Sequence, residues 1–557
     1  MTDNDPSLVS SPGDETAETN TLSESASFLS AEKAAHPVKN GVLPSSSAGV
    51  QKVEEKETKK EDQGDAVMLK RELGLFSAVG LIVSVMIGSG IFVSPASVLE
   101  KSGSVGLCLI VWASCGLISY LGALAFAELG TVVPTSGAEY AYFQAAFTAH
   151  PRLHPFVGPL PAFIFIWVIV LLVRPAEVAI LVLAFSEYLY SPIVQALGLY
   201  LSPWREFLVK KLIALLAISL ITFINIMSVK LFIKIQNVIS CLKILACLCV
   251  IGGGLYGLGS GYTENISRGF EGTRSNVKDL VFAFFNGLWA FDGWTSVTVV
   301  TEEIKNPNRN IPMSISIGVP LITSLYFMMN VAYMTILSYS EIVSAPAVAT
   351  AFAEKLFGPV AVLVPLAVAL SSFGCGLSVQ FGVSRLCFAA GRAGHMLQAF
   401  SFIHVKRLTP APAVILQGSL SFIFILLGNI NELIEFVSFL IWLFYGLAMI
   451  ALLVMRKTKA DVPRPYKVPT VIPVFILFIA ISLAAIPLVL SPAIQYLGAV
   501  AFILLGTLVY YICVYKSHHP SFMDKVTRCI QKLCQVVPTD VREAEPREEL
   551  AQKCDEC

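Results

Sequence analysis

Charged residues are scarce in this chain: Asp, Glu, Lys and Arg make up 14% of its 557 residues, whereas 55% of them are hydrophobic. This composition excludes a soluble globular protein and indicates a polytopic membrane protein. The sequence has no HExxH motif, no GxSxG motif and no cluster among its seven histidines, which argues against a membrane-embedded enzyme. It also lacks the repeated filter sequence of a channel. We therefore expect no catalytic residue, cofactor, metal site or nucleic-acid partner.

Twelve apolar segments are long enough to cross the roughly 30 Å hydrocarbon core of a bilayer. The predicted spans of this all-α protein are 75–99, 107–133, 157–189, 207–229, 235–258, 278–301, 312–337, 357–390, 412–429, 433–455, 470–490 and 493–515. Residues 1–67 are rich in Ser, Thr, Glu, Lys and Asp and show no signal-peptide pattern, which predicts a disordered tail. The expected organisation is thus an N-terminal tail (1–67), a domain of twelve transmembrane helices (68–516) and a C-terminal tail (517–557).

Basic residues predict the orientation in the membrane. They lie before the first span and after the fourth, sixth, eighth and tenth spans: Lys70, Arg71, Lys230, Lys234, Lys305, Arg309, Arg392, Lys406, Arg407, Arg456, Lys457, Lys459, Arg464 and Lys467. The positive-inside rule therefore places both termini in the cytoplasm. The single Asn-x-Ser/Thr sequon, at Asn265, then lies in an extracellular loop, where glycosylation can occur.

Glycine interrupts two of the predicted helices. In the first span Gly88 and Gly90 flank Ser89, and in the sixth span Gly293 follows Asp292. Each glycine lowers helix stability by roughly 1 kcal/mol. Close helix packing through small residues is the alternative explanation for the first motif, but an unpaired carboxylate in lipid is harder to explain by packing.

The two interruptions lie five spans apart, as in inverted repeats of five plus five helices that bind substrate at mid-membrane. Unwinding frees backbone N–H and C=O groups, which must then line a polar cavity or a ligand. N–H groups at the positive end of one half-helix suit a carboxylate, and carbonyls at the negative end of another suit an ammonium. The pattern therefore predicts an amino-acid site.

Three ionisable residues inside spans need partners. Lys243 lies in the middle of the fifth span, and an ammonium at that depth costs roughly 2.5–3.5 kcal/mol on insertion scales, so it is a candidate functional residue. Snorkelling or a purely structural partner is the alternative. Arg174 and Glu177, spaced i,i+3 in the third span, are expected to form an internal ion pair.

Several motifs occur in an order that resembles one family. They are IGSGIF at 87–92, ELG at 128–130, SGAEYAY at 136–142, WAFDGW at 289–294 followed by TEE at 301–303, and SRL at 384–386. Over about 70–535 the chain resembles the L-type amino-acid transporters, the light subunits of heteromeric amino-acid transporters within the amino acid, polyamine and organocation superfamily.

The resemblance implies a LeuT-like 5+5 inverted-repeat fold and sodium-independent exchange of L-amino acids at the plasma membrane. By position, the substrate-binding residues of the first span would be Ile87, Gly88, Ser89, Gly90 and Ile91, and the last four would contact the carboxylate. Those of the sixth span would be Trp289, Ala290, Phe291, Asp292 and Gly293, and the carbonyls near Trp289 and Ala290 would bind the ammonium. Trp289 would close as a gate. Lys243 matches the family's lysine and would stand where sodium-coupled carriers bind a cation, bracing the first and eighth helices.

Asp292 separates two substrate classes within that resemblance. Many large-neutral carriers have a small residue at this position, whereas light chains for neutral plus dibasic amino acids have WAYDGW, close to the sequence here. A buried carboxylate without a permanent protein cation can pair with the side-chain charge of lysine or arginine. We expect exchange of neutral and cationic amino acids. Transport of large neutral or aromatic amino acids alone, or amino-acid sensing by a receptor derived from a transporter, are the alternatives.

One departure from the family concerns its partner subunit. The family's disulfide to a single-pass glycoprotein heavy chain uses a cysteine in the loop between the third and fourth helices, but residues 190–206 contain none. Only Cys108 lies near an outer edge. We therefore expect that a heavy-chain partner, if there is one, binds noncovalently. The other expected partners are L-amino acids and membrane lipid.

The C-terminal segment contains three further cysteines of interest. The C-terminal Cys557 can enter a PDZ-type groove. Cys529 and Cys534 are candidates for palmitoylation, although free thiols are favoured.

Overall fold

The computed structural model describes residues 73–538 except 136, 149–151, 199–200, 302–303, 346, 491–493 and 517–520. The predicted N-terminal tail, the basic residues Lys70 and Arg71 and the PDZ-type terminus at Cys557 lie outside the described residues.

Helices account for nearly all of the first half. They are α1 (Leu75–Met86), α2 (Gly90–Ser102), α3 (Val105–Val132), α4 (Glu139–Phe143), α5 (Leu160–Val168), α6 (Arg174–Leu197), α7 (Pro203–Met227), α8 (Val229–Gly259), α9 (Glu264–Ser267) and α10 (Val277–Ala290). Two wider π-helical turns, Gln144–Thr148 and Ile169–Val173, follow α4 and α5. Side chains of Ser228 and Asn276 accept hydrogen bonds at the starts of α8 and α10, which satisfies backbone donors that a helix leaves free there.

Helices also account for nearly all of the second half of the described chain. Its helices are α11 (Ser296–Val299), α12 (Pro307–Ile336), α13 (Tyr339–Ser344), α14 (Val348–Phe357), α15 (Leu363–Arg392), α16 (Ala411–Leu427), α17 (Ile430–Thr458), α18 (Val471–Leu490), α19 (Ile494–Val509) and α20 (Ser521–Cys534). Short 3₁₀ turns lie at Gly358–Val362 and Gln398–Ser401, and a π turn at Tyr510–Tyr515.

The helices match the predicted spans. In the part of the chain described, nine helices are long and apolar enough to cross a membrane, and α1 and α2, bent by 51°, make a tenth span. The shorter apolar helix α16 and the divided pair α10 and α11 occupy the other two predicted segments. The prediction of an all-helical, polytopic membrane protein is confirmed, with breaks in the first and sixth spans as the glycines indicate.

The third span lies at the centre of the packing. Helix α6 contacts α7, α15, α16 and α17, while α10 packs on α2 and α12 on α3. Small residues permit close crossings: a Cβ on Gly254 of α8 would lie 2.5 Å from the Cα of Ala332 on α12. This is the close backbone contact that glycine allows between membrane helices.

The C-terminal segment is partly folded. Strand Val536–Val537 pairs antiparallel with strand Ile403–His404, in the loop between the eighth and ninth spans. Helix α20 contacts α16 and the 3₁₀ turn Gln398–Ser401. The region predicted only as a C-terminal tail therefore packs, from residue 521 to 538, against the membrane domain.

Candidate functional site

The first break exposes the amino end of a helix. Helix α1 ends at Met86 and α2 begins at Gly90. The N–H groups of Ile87 and Gly88 donate backward, to Val83 O at 3.1 Å and Met86 O at 2.8 Å. Among the described residues, the N–H groups of Ser89, Gly90 and Ile91 have no acceptor. These are donors at the positive end of α2, and they can bind an anionic group.

Ser89 adds a hydroxyl to these donors. Its side chain is buried, and its Oγ has no hydrogen-bond partner among the described residues. A buried hydroxyl without a partner is unfavourable by about 1–3 kcal/mol. The geometry at the break therefore provides a site at which a carboxylate would satisfy Ser89 Oγ together with the free N–H groups.

The second break exposes the carboxyl end of a helix. After α10 ends at Ala290 the chain turns, and the N–H groups of Phe291 and Asp292 donate to Leu288 O at 3.2 Å and Trp289 O at 3.1 Å. No described residue donates to the carbonyl of Ala290 or that of Phe291. Carbonyls at the negative end of a helix suit an ammonium group.

Two glycines bring these breaks together. A Cβ on Gly90 would lie 2.5 Å from the Cα of Ala290, and a Cβ on Gly293 would lie 2.7 Å from Val85 Cγ1. Gly293 also has φ of +104°, which favours glycine. Donors of the first span and acceptors of the sixth span therefore line the same region.

Lys243 joins three spans beneath the first break. Its side chain is fully buried, which excludes snorkelling. Its Nζ donates to Ser84 O at 2.5 Å and Ile87 O at 3.0 Å on the first span, and lies 3.6 Å from Cys375 Sγ on α15. A fixed ammonium thus satisfies carbonyls at the end of α1.

Asp292 borders a narrow cavity between the sixth and tenth spans. The residues that line it are Leu288, Trp289, Asp292, Trp294, Ser438, Ile441, Trp442 and Tyr445. Tyr445 Oη donates to Asp292 Oδ1 at 2.6 Å. The lining combines a carboxylate with four aromatic side chains, which suits a cation or an apolar side chain chemically, but its volume of about 10 Å³ requires the surrounding side chains to move before either could enter.

The third span supplies a cation near this carboxylate. Arg174 Nη1 lies 2.5 Å from Glu177 Oε2, so the predicted ion pair is confirmed. The Arg174 charge also acts on Asp292 and Tyr445. Asp292 is thus within electrostatic range of a protein cation, contrary to the expectation, because α17 packs against both α6 and α10, a proximity that sequence spacing does not reveal.

Three residues of the site were not predicted from the sequence. Tyr445 lies in the tenth span, Cys375 in the eighth and Tyr326 in the seventh, where its Oη donates to Met86 O at 2.6 Å. Each lies in an ordinary apolar helix, so no sequence motif distinguishes it from its neighbours. The glycines on both sides of Cys375 were the one available signal of a close approach.

The remaining predicted features lie away from the breaks. Asn265 is half-buried in α9, and its glycosylation stays a prediction. All cysteines in the described part of the chain are free, and Cys108 is buried, which makes it a poor candidate for an intersubunit disulfide. No group of His, Cys, Asp and Glu among the described residues can hold a metal ion.

Comparisons with known proteins identify the family of the chain. The Amino acid permease family model matches residues 73–512. A mouse protein named b(0,+)-type amino acid transporter 1 is 42% identical over 474 residues, 85% of this chain and 94% of that protein. The human Cystine/glutamate transporter is 37% identical, with 86% of this chain and 92% of that protein covered.

A third relative points to the same group. The human Large neutral amino acids transporter small subunit 2 is 37% identical, with 88% of this chain and 90% of that protein covered. These relatives are named as transporters, which agrees with the expectation that the chain is no enzyme. Because the family model spans most of the chain and the relatives match almost end to end, this protein belongs to the amino acid permease family, among the light subunits of heteromeric amino-acid transporters.

Proposed function

We propose that this antiporter exchanges neutral and cationic L-amino acids across the plasma membrane without sodium. The observation that carries the proposal is the position of Asp292, whose carboxylate borders a cavity with four aromatic rings beside the sixth-span break. A carboxylate offers a cationic side chain charge-assisted hydrogen bonds, and the aromatic faces offer cation–π contacts. The same rings can pack on the side chain of leucine.

The common part of every amino acid would bind at the two breaks. The substrate carboxylate would accept hydrogen bonds from the N–H groups of Ser89, Gly90 and Ile91 and from Ser89 Oγ. The substrate ammonium would donate to the carbonyls of Ala290 and Phe291, with Trp289 closing over the side chain. The free donors and acceptors at these positions support this assignment.

Lys243 would take the place of a bound sodium ion. Its ammonium lies between carbonyls of the first span and α15 of the eighth span, a position in which a cation stabilises the end of α1 through its dipole. Since this charge is covalently fixed, the carrier would need no sodium to assemble its site.

Assembly and location are parts of the same proposal. The chain would lie in the plasma membrane with both termini in the cytoplasm, and any heavy chain would associate without a disulfide. The absence of cysteine from residues 190–206 and the burial of Cys108 support the noncovalent association.

Transport of large neutral amino acids alone is the second candidate, and one observation favours it. Asp292 already accepts a hydrogen bond from Tyr445 and interacts electrostatically with Arg174. If these two partners satisfy the carboxylate fully, the cavity would select apolar side chains.

Exchange in liposomes tests the proposal. The purified full-length protein would be reconstituted into vesicles loaded with leucine, and uptake of labelled arginine and of labelled leucine would be measured in choline buffer. We expect internal leucine to drive both uptakes and external arginine to compete with leucine. Leucine exchange without arginine exchange would establish the large-neutral function, and binding without any uptake would indicate an amino-acid sensor.

A further inference from the structure

We propose that Glu177 determines charge selectivity by holding the Arg174 guanidinium away from Asp292, so that Asp292 stays available to a cationic substrate. This inference rests on the proposed exchange of neutral and cationic amino acids. The Arg174–Glu177 ion pair would thus affect which substrate side chain is accepted. It would not contribute to binding the α-carboxylate or the α-ammonium of the substrate. Glu177 acts here as a positioning residue.

The local structure of the third span fixes the position of the Arg174 backbone. The π turn Ile169–Val173 comes immediately before Arg174, the first residue of α6. Such wide turns redirect side chains and are frequent at functional sites. Gln417 of the ninth span donates from Nε2 to Val170 O at 2.8 Å, which anchors the turn. The start of α6 is thus held in place by a neighbouring span.

Arg174 is more open than its partner. Its side chain keeps 28% of its surface open, whereas that of Glu177 keeps 9%. Because an Arg side chain is long and has several rotamers, the 2.5 Å contact with Glu177 is what selects its present direction.

The charges around Arg174 are unbalanced. Arg174 interacts electrostatically with Glu177 and Asp292, and Glu139 of α4 interacts with both Arg174 and Asp292. One guanidinium therefore serves three acidic side chains. A bound lysine or arginine supplies a second cation to this cluster, whereas a neutral substrate brings none.

Removing the acidic partner of Arg174 tests this arrangement. In Glu177→Gln the guanidinium loses its contact and turns to Asp292, so we expect the KM for arginine to rise at least tenfold and the KM for leucine to change less than twofold. The double variant Arg174→Gln with Glu177→Gln removes the competing cation and should restore arginine transport to within threefold of the native protein. This second variant keeps the test decisive if Glu177→Gln alone fails to fold.

The matched control lies on the same helix. Glu187 of α6 pairs with Lys210 at 2.7 Å, away from the breaks, and Glu187→Gln should leave both KM values unchanged. Parallel loss of arginine and leucine transport in Glu177→Gln, or a double variant that still rejects arginine, would overturn the inference. If the native protein itself failed to exchange arginine, the proposed function would fall instead, so the two failures are distinguishable.

Discussion

The ammonium of Lys243 lies 3.0 Å from the carbonyl oxygen of Ile87, at the point where the first span leaves its helical course. The same ammonium reaches Ser84 O one turn earlier. Carbonyls freed by a broken helix need donors inside a membrane, and here a side chain from the fifth span provides them.

Removal of this charge should stop transport. We expect Lys243→Ala to abolish amino-acid exchange while leaving surface expression largely intact, and we expect native uptake to be unchanged when choline replaces sodium. Lys234→Ala, on the exposed surface of the same helix α8, is the control and should transport normally. A strong sodium requirement in the native protein would contradict the proposed role, and loss of folded Lys243→Ala protein would show that the lysine is purely structural.

A methyl group at the contact between the two breaks should also be damaging. In Gly90→Ala the new Cβ would meet the backbone of Ala290 at 2.5 Å, so the first and sixth spans must separate. We expect exchange to fall more than tenfold. Gly80→Ala, in α1 with no atom within 4 Å of its Cβ, should keep native activity, and equal activity of both variants would show that the breaks tolerate separation.

A buried carboxylate at the end of the second span should matter for stability. Glu128, which is fully buried, accepts hydrogen bonds from Arg456 Nε at 2.9 Å and from Val468 N at 2.9 Å. Arg464 lies nearby, with its Nε 3.7 Å from Glu128 Oε1. Removing one partner of a buried ion pair destabilises by roughly 3–5 kcal/mol, so Glu128→Gln should lower the melting temperature of the detergent-solubilised protein clearly.

The exposed pair of Glu341 and Lys355, 2.8 Å apart, is the control for that experiment. Hydrogen bonds from Lys355 and from the Ser338 backbone lower the pKa of Glu341 to about 2, so it is ionised at the pH of the measurement. Because exposed pairs contribute at most about 1 kcal/mol, Glu341→Gln should barely shift the melting temperature. Similar shifts in both variants would show that the Glu128 cluster is no more stabilising than a surface contact.

Electrophoresis tests the partner subunit. With no cysteine at 190–206 and with Cys108 buried, a co-expressed heavy-chain glycoprotein should co-purify without a reducible high-mass band on non-reducing gels. A band that disappears on reduction would contradict this expectation. In that event Cys108→Ser would show whether this thiol becomes accessible in the complex.

Sequence alone predicted the spans, the two broken helices and the Arg174 and Glu177 pair, because apolar length, glycine and i,i+3 spacing are local properties. It did not predict that Tyr445 hydrogen-bonds to Asp292 or that Asp292 and Arg174 interact electrostatically, since these interactions join the third, sixth and tenth spans. The strand at Val536–Val537 was missed for the same reason. Its partner lies more than a hundred residues earlier, in a loop without a strand pattern.

We expect Asp292 to bind the cationic side chain of the substrate. Charge-assisted contacts contribute roughly 1.5–3 kcal/mol, so Asp292→Asn should weaken arginine exchange tenfold or more and leucine exchange much less. Tyr445→Phe, which removes the hydrogen bond to Asp292 but keeps the carboxylate, is the control and should retain arginine exchange.

The most direct measurement is therefore the ratio of arginine to leucine exchange in liposomes containing native protein, Asp292→Asn or Tyr445→Phe. We expect this ratio to fall at least fivefold in Asp292→Asn and not in Tyr445→Phe. An unchanged ratio in Asp292→Asn, with exchange of both substrates lost equally, would contradict this binding role and show that Asp292 instead maintains the geometry of the sixth span.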